Sequence, residues 1–211
     1  MRILISGGGT GGHIYPALSV ATQLQQQYQA EILYLGSDDG LETELAPKAG
    51  FRFASVKAGK LRRYLSWKTL VGVARVPLGM LEAVKIVRDF RPDVIFTSGG
   101  YVAVPAGLAA RLNGVPLVMH QQDVSPNLSN RLIGPLAKRI SVAFADSLNY
   151  FPKQKTLHLG NPVREAILEV AGVSAEQARE KLGFDPALPL ILVTGGSQGA
   201  RHLNQVVCET L

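Results

Sequence analysis

Arg2–Pro16 has the sequence RILISGGGTGGHIYP, an apolar strand that passes through a glycine-rich loop into a helix. In open α/β folds the end of such a strand lies at the carboxyl edge of the sheet, where ligands bind. Glycines let the loop turn tightly and approach a charged group, and the N–H groups at the start of the next helix point toward that group. The stretch therefore predicts an anion-binding loop, with Pro16 in the first helical turn.

A titratable side chain follows the last glycine of this loop. His13 is expected in the first helical turn, pointing into the ligand site, where a histidine can exchange protons near neutral pH. A histidine that only caps the helix or makes a structural hydrogen bond is the other interpretation. Both interpretations of His13 stay open at this point.

The glycine spacing also admits a second class of protein. Gly7, Gly9 and Gly12 satisfy G-x-G-x-x-G, a pattern of dinucleotide-binding folds that is weak when it stands alone. A nicotinamide-dependent enzyme needs an acidic residue near the end of the second strand to hold a ribose, and Asp38 and Asp39 are the candidates. A nicotinamide-dependent oxidoreductase is therefore an alternative.

Composition narrows the possible functions. The chain has 211 residues, 46% of them hydrophobic, and a net charge of +6, which suits partners that carry phosphate. No helix-turn-helix, zinc-ligand or RNA-binding aromatic pattern appears, so no nucleic acid partner is expected. The start of the chain lacks a signal peptide, no apolar run is long enough to span a bilayer, and Cys208 is the only cysteine. A globular cytoplasmic protein without a disulfide or a metal site is the expectation.

Short β-branched runs alternate with helical patterns along most of the chain. This rhythm predicts an α/β fold with a doubly wound parallel sheet. The predicted strands after the first are residues 32–35, 51–56, 94–97, 117–119, 140–143 and 157–159. The predicted helices are residues 17–28, 41–48, 67–90, 103–112, 128–137, 165–170 and 174–181.

A second strand, glycine loop and helix end the sequence. Leu188–Thr194 is the predicted strand, residues 195–200 are the loop, and a helix begins at Arg201. Because a turn at Gly160–Arg164 precedes this region, we predict a first domain over residues 1–163 and the incomplete start of a second Rossmann-like domain over residues 164–211. One such unit cannot bury a core of its own, so we expect a fragment or a chain that needs a partner.

Two further loops follow predicted strands. Residues 97–105, TSGGYVAVP, form another glycine turn that should lie on the same sheet edge as the first, with Tyr101 either contacting a sugar or packing. Residues 119–127, MHQQDVSPN, place His120 in a role that is more often structural than catalytic. Asp123 is the more exposed residue there, and it can bind hydroxyls or accept a proton.

The region from Lys60 to Met80 combines basic residues with leucines, valines, Tyr64 and Trp67. Such a surface can contact an anionic membrane. A helix with one apolar stripe and a solvated basic face is the alternative, and Trp67 beside Lys68 slightly favours the membrane.

Four motifs, taken together and in order, resemble the MurG family of glycosyltransferases, which add N-acetylglucosamine to lipid I. They are GGTGGH at residues 8–13, GGYV at 99–102, GNPVR at 160–164 and GGSQGA at 195–200. The resemblance implies a GT-B fold whose first domain holds lipid I and whose second holds UDP-N-acetylglucosamine. It also implies inversion at the anomeric carbon without a tightly bound metal or other cofactor, at the anionic cytoplasmic face of the bacterial inner membrane.

The resemblance also implies roles for individual residues. His13 would face the acceptor diphosphate or the reacting hydroxyl, and our hypothesis is that it is the catalytic base. The acceptor would be bound by Thr10, Gly11, Gly12, Gly99, Gly100, Tyr101 and Asp123. The donor would be bound by Thr10, Gly11, Gly12, Asp123, Arg164, Ser197 and Gln198.

Two features depart from the family pattern. The family usually has His-Glu-Gln-Asn where this chain has HQQD at residues 120–123, so a related GT-B transferase with another acceptor is an alternative. The family's remaining donor-binding residues lie beyond Leu211, and we therefore expect no turnover by this chain alone. A non-catalytic scaffold that recognises lipid diphosphates at the membrane is the third alternative.

Overall fold

The computed structural model describes residues 1–58, 67–185, 187–195 and 199–210, with the backbone only for residues 67–76. Contacts divide the chain into two compact units, Met1–Arg164 and Glu165–Leu211. The first unit contains a seven-stranded sheet in the order β3-β2-β1-β4-β5-β6-β7, in which every neighbouring pair is parallel. The parallel, doubly wound architecture predicted from the alternating pattern is therefore present.

The elements of the first unit follow the alternation of strands and helices. The strands are β1 Arg2–Ser6, β2 Glu31–Ser37, β3 Arg52–Val56, β4 Val94–Thr97, β5 Leu117–Gln121, β6 Arg139–Val142 and β7 Thr156–His158. The helices are α1 Gly11–Tyr28, α2 Glu42–Lys48, α3 Trp67–Phe90, α4 Ala103–Leu112 and α5 Leu128–Ile133. Short 3₁₀ turns occupy Gly134–Leu136, Ala145–Tyr150 and Lys153–Lys155.

Side chains of β1 alternate between the two faces of the sheet, as the period of a strand requires. Ile3 and Ile5 belong to a core cluster that includes Ile14 and Ala17 of α1. Leu4 points the other way, into a larger cluster that contains residues of α3, α4 and α5. Helices therefore cover both faces, and only the strand ends are accessible to a ligand.

The chain order reverses between β1 and β4. The strands first extend outward from β1 to β3, and β4 then returns to pair with the other side of β1. Ligands of open α/β sheets bind outside the carboxyl ends of the strands at such a reversal. The loops after β1 and β4, together with the neighbouring loop after β5, are therefore where a site is expected.

Two sequence predictions are wrong in detail. α1 begins at Gly11, so Pro16 lies in the second turn and not in the first, and the Gly12 carbonyl loses the N–H that would normally bond to it. Residues 188–194 form no strand, because they pair with no other strand among the described residues. Ile191 and Leu192 of that segment are 85% and 82% exposed.

The second unit, taken by itself, is helical. It contains α6 Glu165–Val170, α7 Ala175–Lys181 and α8 Arg201–Thr210. α7 begins with a capping box, in which the Ser174 side chain accepts a bond from the Gln177 N–H and the Gln177 side chain accepts one from the Ser174 N–H. No residue of these three helices is buried.

Candidate functional site

The glycine turns after β1 and β4 lie side by side, as the parallel pairing of these strands predicts. Gly100 has a φ of +83°, and a Cβ atom there would collide with the carbonyl oxygen of Gly8. Gly9 has a φ of +92°, and a Cβ there would lie 2.7 Å from the ring of Tyr101. Glycine is required at both positions because the backbone conformation and the close approach exclude a side chain.

His13 and Ser98 join the two turns by a reciprocal pair of hydrogen bonds. The Nδ1 of His13 donates to the Ser98 carbonyl oxygen at 2.9 Å, and the Ser98 hydroxyl donates to the His13 carbonyl oxygen at 2.6 Å. Because a carbonyl can only accept, the neutral ring carries its proton on Nδ1. Nε2 is then an unprotonated acceptor that bonds to none of the described residues. The arrangement suits a general base.

The start of α1 has unused hydrogen-bond donors. Its N-cap residue, Thr10, makes no side-chain capping bond, and the first turn contains no acidic residue. The N–H groups of Gly11 and Gly12 have no partner among the residues described. Such N–H groups, together with the positive end of an 18-residue helix, attract an anion.

His120 is structural, and side chains rather than backbone groups satisfy it. Its Nε2 donates to Asn161 Oδ1 at 3.1 Å, and its Nδ1 accepts from the Ser141 hydroxyl at 2.8 Å. Burial lowers the pKa of His120 below its usual 6.5, and the nearby His13 lowers it further, although the bond to Asn161 opposes both effects. A neutral ring therefore connects β5 to β6 and to the turn at 160–164.

The loop after β5 is held by amide side chains. Buried Gln121 accepts from the Asn130 amide at 2.7 Å and donates to the Asp123 and Ser125 carbonyl oxygens at 2.7 and 3.2 Å. A carboxylate at position 121 would have no proton to donate to these carbonyls. The Asp123 side chain is exposed. Gln121 thus fixes the loop that presents Asp123.

Asn130 has a buried, unpaired acceptor behind the turn after β4. The residue is 1% exposed, and its Oδ1 has no hydrogen-bond partner among the described residues. This oxygen and the Nδ1 of His13 lie 3.1 and 3.2 Å from the point where a Gly99 Cβ would stand. Since Gly99 has a φ of +99° and these atoms lie so close to its Cβ position, a side chain at this position would be strained and crowded.

A buried carboxylate lies behind the first glycine loop. Glu42 is 0% exposed and accepts bonds from the N–H and hydroxyl of Ser37 and from the N–H of Gly9, at 3.0, 2.8 and 3.3 Å. The Ser37 hydroxyl also lies 2.7 Å from the hydroxyl of Tyr101, which donates to Asp39 at 3.3 Å. The N–H of Gly9 is therefore directed at Glu42 and not at a ligand.

Tyr101 stays protonated in this environment. Burial raises its pKa most, and the negative charges of Glu42 and Asp39 raise it further, against the opposite effect of its hydrogen bond with Ser37. A neutral phenol can both donate to and accept from sugar hydroxyls. Asp39, one of the two carboxylates that the oxidoreductase alternative would use, accepts this bond from Tyr101.

Arg164, a predicted donor-binding residue, is placed by an aromatic ring. Its guanidinium carbon lies 4.7 Å from the centre of the ring of Tyr15, which follows His13 by two residues on α1. The contact is a cation–π interaction on the surface. It keeps a positive charge beside the start of α1.

Several predicted residues lie outside the described part of the chain. These are Ser197 and Gln198 of the donor set and the beginning of the basic region, residues 60–66, while the side chains of residues 67–76 are not described either. In the remainder of that region, Leu78 is 51% exposed. Among the described residues, no helix has the length and apolar character needed to cross a bilayer.

Sequence reasoning missed part of this arrangement. Ser98, Gln122 and Asn130 contribute contacts around His13, with Gln122 donating to the same Ser98 carbonyl oxygen at 3.0 Å. Glu42 was missed entirely. Its position directly after Gly40-Leu41, where the predicted α2 begins, is the one signal that the sequence holds.

The fold and the paired glycine loops define a class of enzyme domain. Residues 3–142 match the glycosyltransferase family 28 N-terminal domain, and the chain belongs to this family. The resemblance to MurG is confirmed by two UDP-N-acetylglucosamine–N-acetylmuramyl-(pentapeptide) pyrophosphoryl-undecaprenol N-acetylglucosamine transferases. Those of Caldanaerobacter subterraneus subsp. tengcongensis and Alkaliphilus oremlandii are each 42% identical over 213 residues and align with 100% of this chain. The chain spans 58% and 57% of their lengths.

Solved structures confirm the fold class. The crystal structure of Acinetobacter baumannii MurG superimposes with a TM-score of 0.62 at 30% identity, covering 79% of this chain and 46% of that one. UDP-GlcNAc 2-epimerase from Neisseria meningitidis superimposes with a TM-score of 0.59 at 16% identity, covering 100% of this chain and 62% of the epimerase. The epimerase supports the fold alone. The doubly wound α/β domain is that of the GT-B type.

Proposed function

We propose that this chain is the acceptor-binding part of an inverting glycosyltransferase that moves N-acetylglucosamine from UDP-N-acetylglucosamine to the 4-hydroxyl of the lipid-linked N-acetylmuramyl-pentapeptide, lipid I. The 42% identity to transferases of that name supports this choice of substrates. We assign residues 1–163 to the acceptor domain and residues 164–211 to the start of the nucleotide-sugar domain. The reaction belongs to peptidoglycan synthesis.

The observation that carries the proposal is the hydrogen bond between His13 and the Ser98 carbonyl oxygen. This Nδ1–H bond to Ser98 leaves Nε2 as a base beside the unused N–H groups of Gly11 and Gly12. A lipid-linked sugar diphosphate has a hydroxyl that must lose its proton and a diphosphate that must be bound. The base and the anion-binding start of α1 lie together at the point where the strand order reverses, and they match these two requirements. Tyr101, on the adjacent turn, supplies a hydrogen-bond partner for the sugar.

The reaction is a direct displacement. His13 Nε2 takes the proton of the muramyl 4-hydroxyl while that oxygen forms a bond to the anomeric carbon. The bond from this carbon to the diphosphate oxygen breaks, and UDP leaves with the electron pair. Arg164, from the predicted donor-binding set, stabilises the charge that develops on the diphosphate.

Position at the membrane follows from the acceptor. Lipid I is anchored in the inner membrane, so the protein acts as a peripheral protein at the anionic cytoplasmic surface. The net charge of +6 favours such a surface.

The assignment of the acceptor is tested by calorimetric titration of the 211-residue chain with a soluble short-chain lipid I analogue. Two control ligands separate the contributions, a short-chain polyprenyl diphosphate without sugar and the muramyl-pentapeptide without diphosphate. We expect the complete analogue to bind most tightly. Equal affinity for the sugar-free diphosphate favours the scaffold alternative, and no binding of the complete analogue contradicts the proposed acceptor site.

The base is tested by kinetics in a chimaera that joins this chain to the C-terminal part of the Caldanaerobacter subterraneus relative. His13→Ala is expected to lower kcat by about 10²–10⁴-fold, the usual contribution of a general base. The KM for UDP-N-acetylglucosamine should change little. Transfer near the wild-type rate with UDP release intact would exclude His13 as the base.

A further inference from the structure

Glu42 is a buried carboxylate that the proposed reaction does not use. It stands in the first turn of α2 and is 0% exposed. None of the ion pairs formed by the described residues includes it. A buried charge without a cationic partner is costly unless hydrogen bonds satisfy it, so its contacts are informative.

Three hydrogen-bond donors converge on this carboxylate from two different loops. Oε1 accepts from the N–H and the hydroxyl of Ser37 at the end of β2, and Oε2 accepts from the N–H of Gly9 after β1. The same Ser37 hydroxyl is 2.7 Å from the hydroxyl of Tyr101, which follows β4. One carboxylate therefore connects the loops at the ends of three strands.

The backbone around Glu42 makes room for its side chain. A Cβ atom at each of three glycines would collide with the carboxyl group or its methylene: Gly8, Gly36 and Gly40. The loops thus pack directly against Glu42, and a change in its hydrogen bonds acts on the loop that carries the ligand site.

We propose that Glu42 is a positioning residue for the acceptor site. Its carboxylate holds the N–H of Gly9 away from the ligand, so that the N–H groups of Gly11 and Gly12 face the anion. Through Ser37 it also fixes the hydroxyl of Tyr101. The contacts alone support the positioning of these loops by Glu42, whereas the effect of Glu42 on acceptor affinity rests on the proposed function.

The test is Glu42→Gln, with Glu44→Gln as the matched control. The glutamine keeps the size of the side chain and one acceptor for Ser37, but it turns an NH₂ group toward the Gly9 N–H. Glu44 lies on the same turn, is 73% exposed in its side chain and pairs only with Lys48 among the described residues. The control removes the same charge without touching the loop.

The first readout needs no ligand. In the ¹H–¹⁵N spectrum of the full chain, Glu42→Gln should move the Gly9 amide proton upfield and speed its exchange with solvent, because a hydrogen bond to a carboxylate is lost. Glu44→Gln should leave this resonance unchanged. A Gly9 resonance that Glu42→Gln does not affect overturns the inference, whatever the acceptor analogue does.

The second readout is calorimetric affinity for the soluble lipid I analogue. Glu42→Gln should weaken it about tenfold or more, the effect of losing one charge-assisted hydrogen bond, while Glu44→Gln should bind like the wild type. Equal affinity of Glu42→Gln and the wild type overturns the positioning role. If the wild type itself does not bind, the proposed function fails and the role in acceptor binding falls with it. Should Glu42→Gln not fold, Ser37→Ala replaces it in the affinity measurement. Weaker binding by Ser37→Ala supports the positioning of Tyr101 by Glu42 through Ser37, and unchanged binding overturns that positioning.

Discussion

The His13 ring donates from Nδ1 to the carbonyl oxygen of Ser98, 2.9 Å away. This bond connects the first turn of α1 to the loop after β4, and it leaves Nε2 as the acceptor. His120, on the neighbouring strand β5, has the opposite tautomer because its Nε2 donates to Asn161 Oδ1. Two histidines at one sheet edge thus carry their protons on different nitrogens.

The tautomers are directly observable. In long-range ¹H–¹⁵N spectra of the histidine-labelled chain, we expect His13 as the Nδ1–H form and His120 as the Nε2–H form above neutral pH. His13→Gln and His120→Gln assign the signals among the four histidines. A His13 signal of the Nε2–H type would contradict the bond to Ser98 and with it the free Nε2.

The close approach of Gly100 to Gly8 predicts a large cost for a methyl group. Gly100→Ala combines a positive φ of +83° with a collision against a carbonyl, so the free energy of unfolding should fall by about 2 to 4 kcal/mol. Gly114→Ala is the control, since Gly114 has a φ of +70° and nothing within 4 Å of its Cβ position. It should cost about 1 kcal/mol, from backbone strain alone. Urea unfolding measures both, and equal losses would show that the turns do not touch.

Lys155 stabilises the polypeptide after α5. Its ammonium group donates to the carbonyl oxygens of Gly134, Pro135 and Ala137 at 2.9, 3.2 and 2.9 Å. Lys155→Met keeps the aliphatic stem and removes these bonds, so unfolding should require about 1 to 2 kcal/mol less. Lys153→Met, on the same 3₁₀ turn and exposed, should be neutral in the same urea titration. Equal effects of the two variants would contradict a stabilising role for the three hydrogen bonds of Lys155.

The local sequence pattern was sufficient to predict most of the fold. Apolar periodicity predicts α3 and α4 with the ends that the structure has, Trp67–Phe90 and Ala103–Leu112. The parallel arrangement then places the turns after β1 and β4 together, because neighbouring parallel strands end at the same edge. The strand predicted over residues 188–194 was wrong because a strand also needs a partner strand, which the described residues do not supply.

The contacts within the site could not be predicted in the same way. The bond from His13 ends on a backbone carbonyl, which every residue has, so no side-chain pattern marks Ser98 as its partner. Glu42 looks like an ordinary acidic residue at a helix start, and only the approach of the loops after β1 and β2 buries it. Long-range packing, not local propensity, decides both.

The buried ring of His120 makes stability depend on pH. Because burial lowers the pKa of the folded form below the usual 6.5, the unfolded chain binds more protons between that lowered value and 6.5. Stability is therefore full above 6.5, falls as the pH drops below it, and stops falling below the pKa of the folded form. The slope from this one group is at most about 1.4 kcal/mol per pH unit.

His120→Gln isolates this contribution. The variant loses the bonds to Ser141 and Asn161, so it should be less stable at pH 7.5 by about 1 to 3 kcal/mol. The difference from the wild type should then shrink as the pH falls below about 6.5, because only the wild type pays the protonation penalty. Urea unfolding at a series of pH values measures this difference. If it stayed constant from pH 7.5 to pH 5, or grew, the neutral and buried state of His120 would be wrong, and the turn at 160–164 that presents Arg164 would need another anchor.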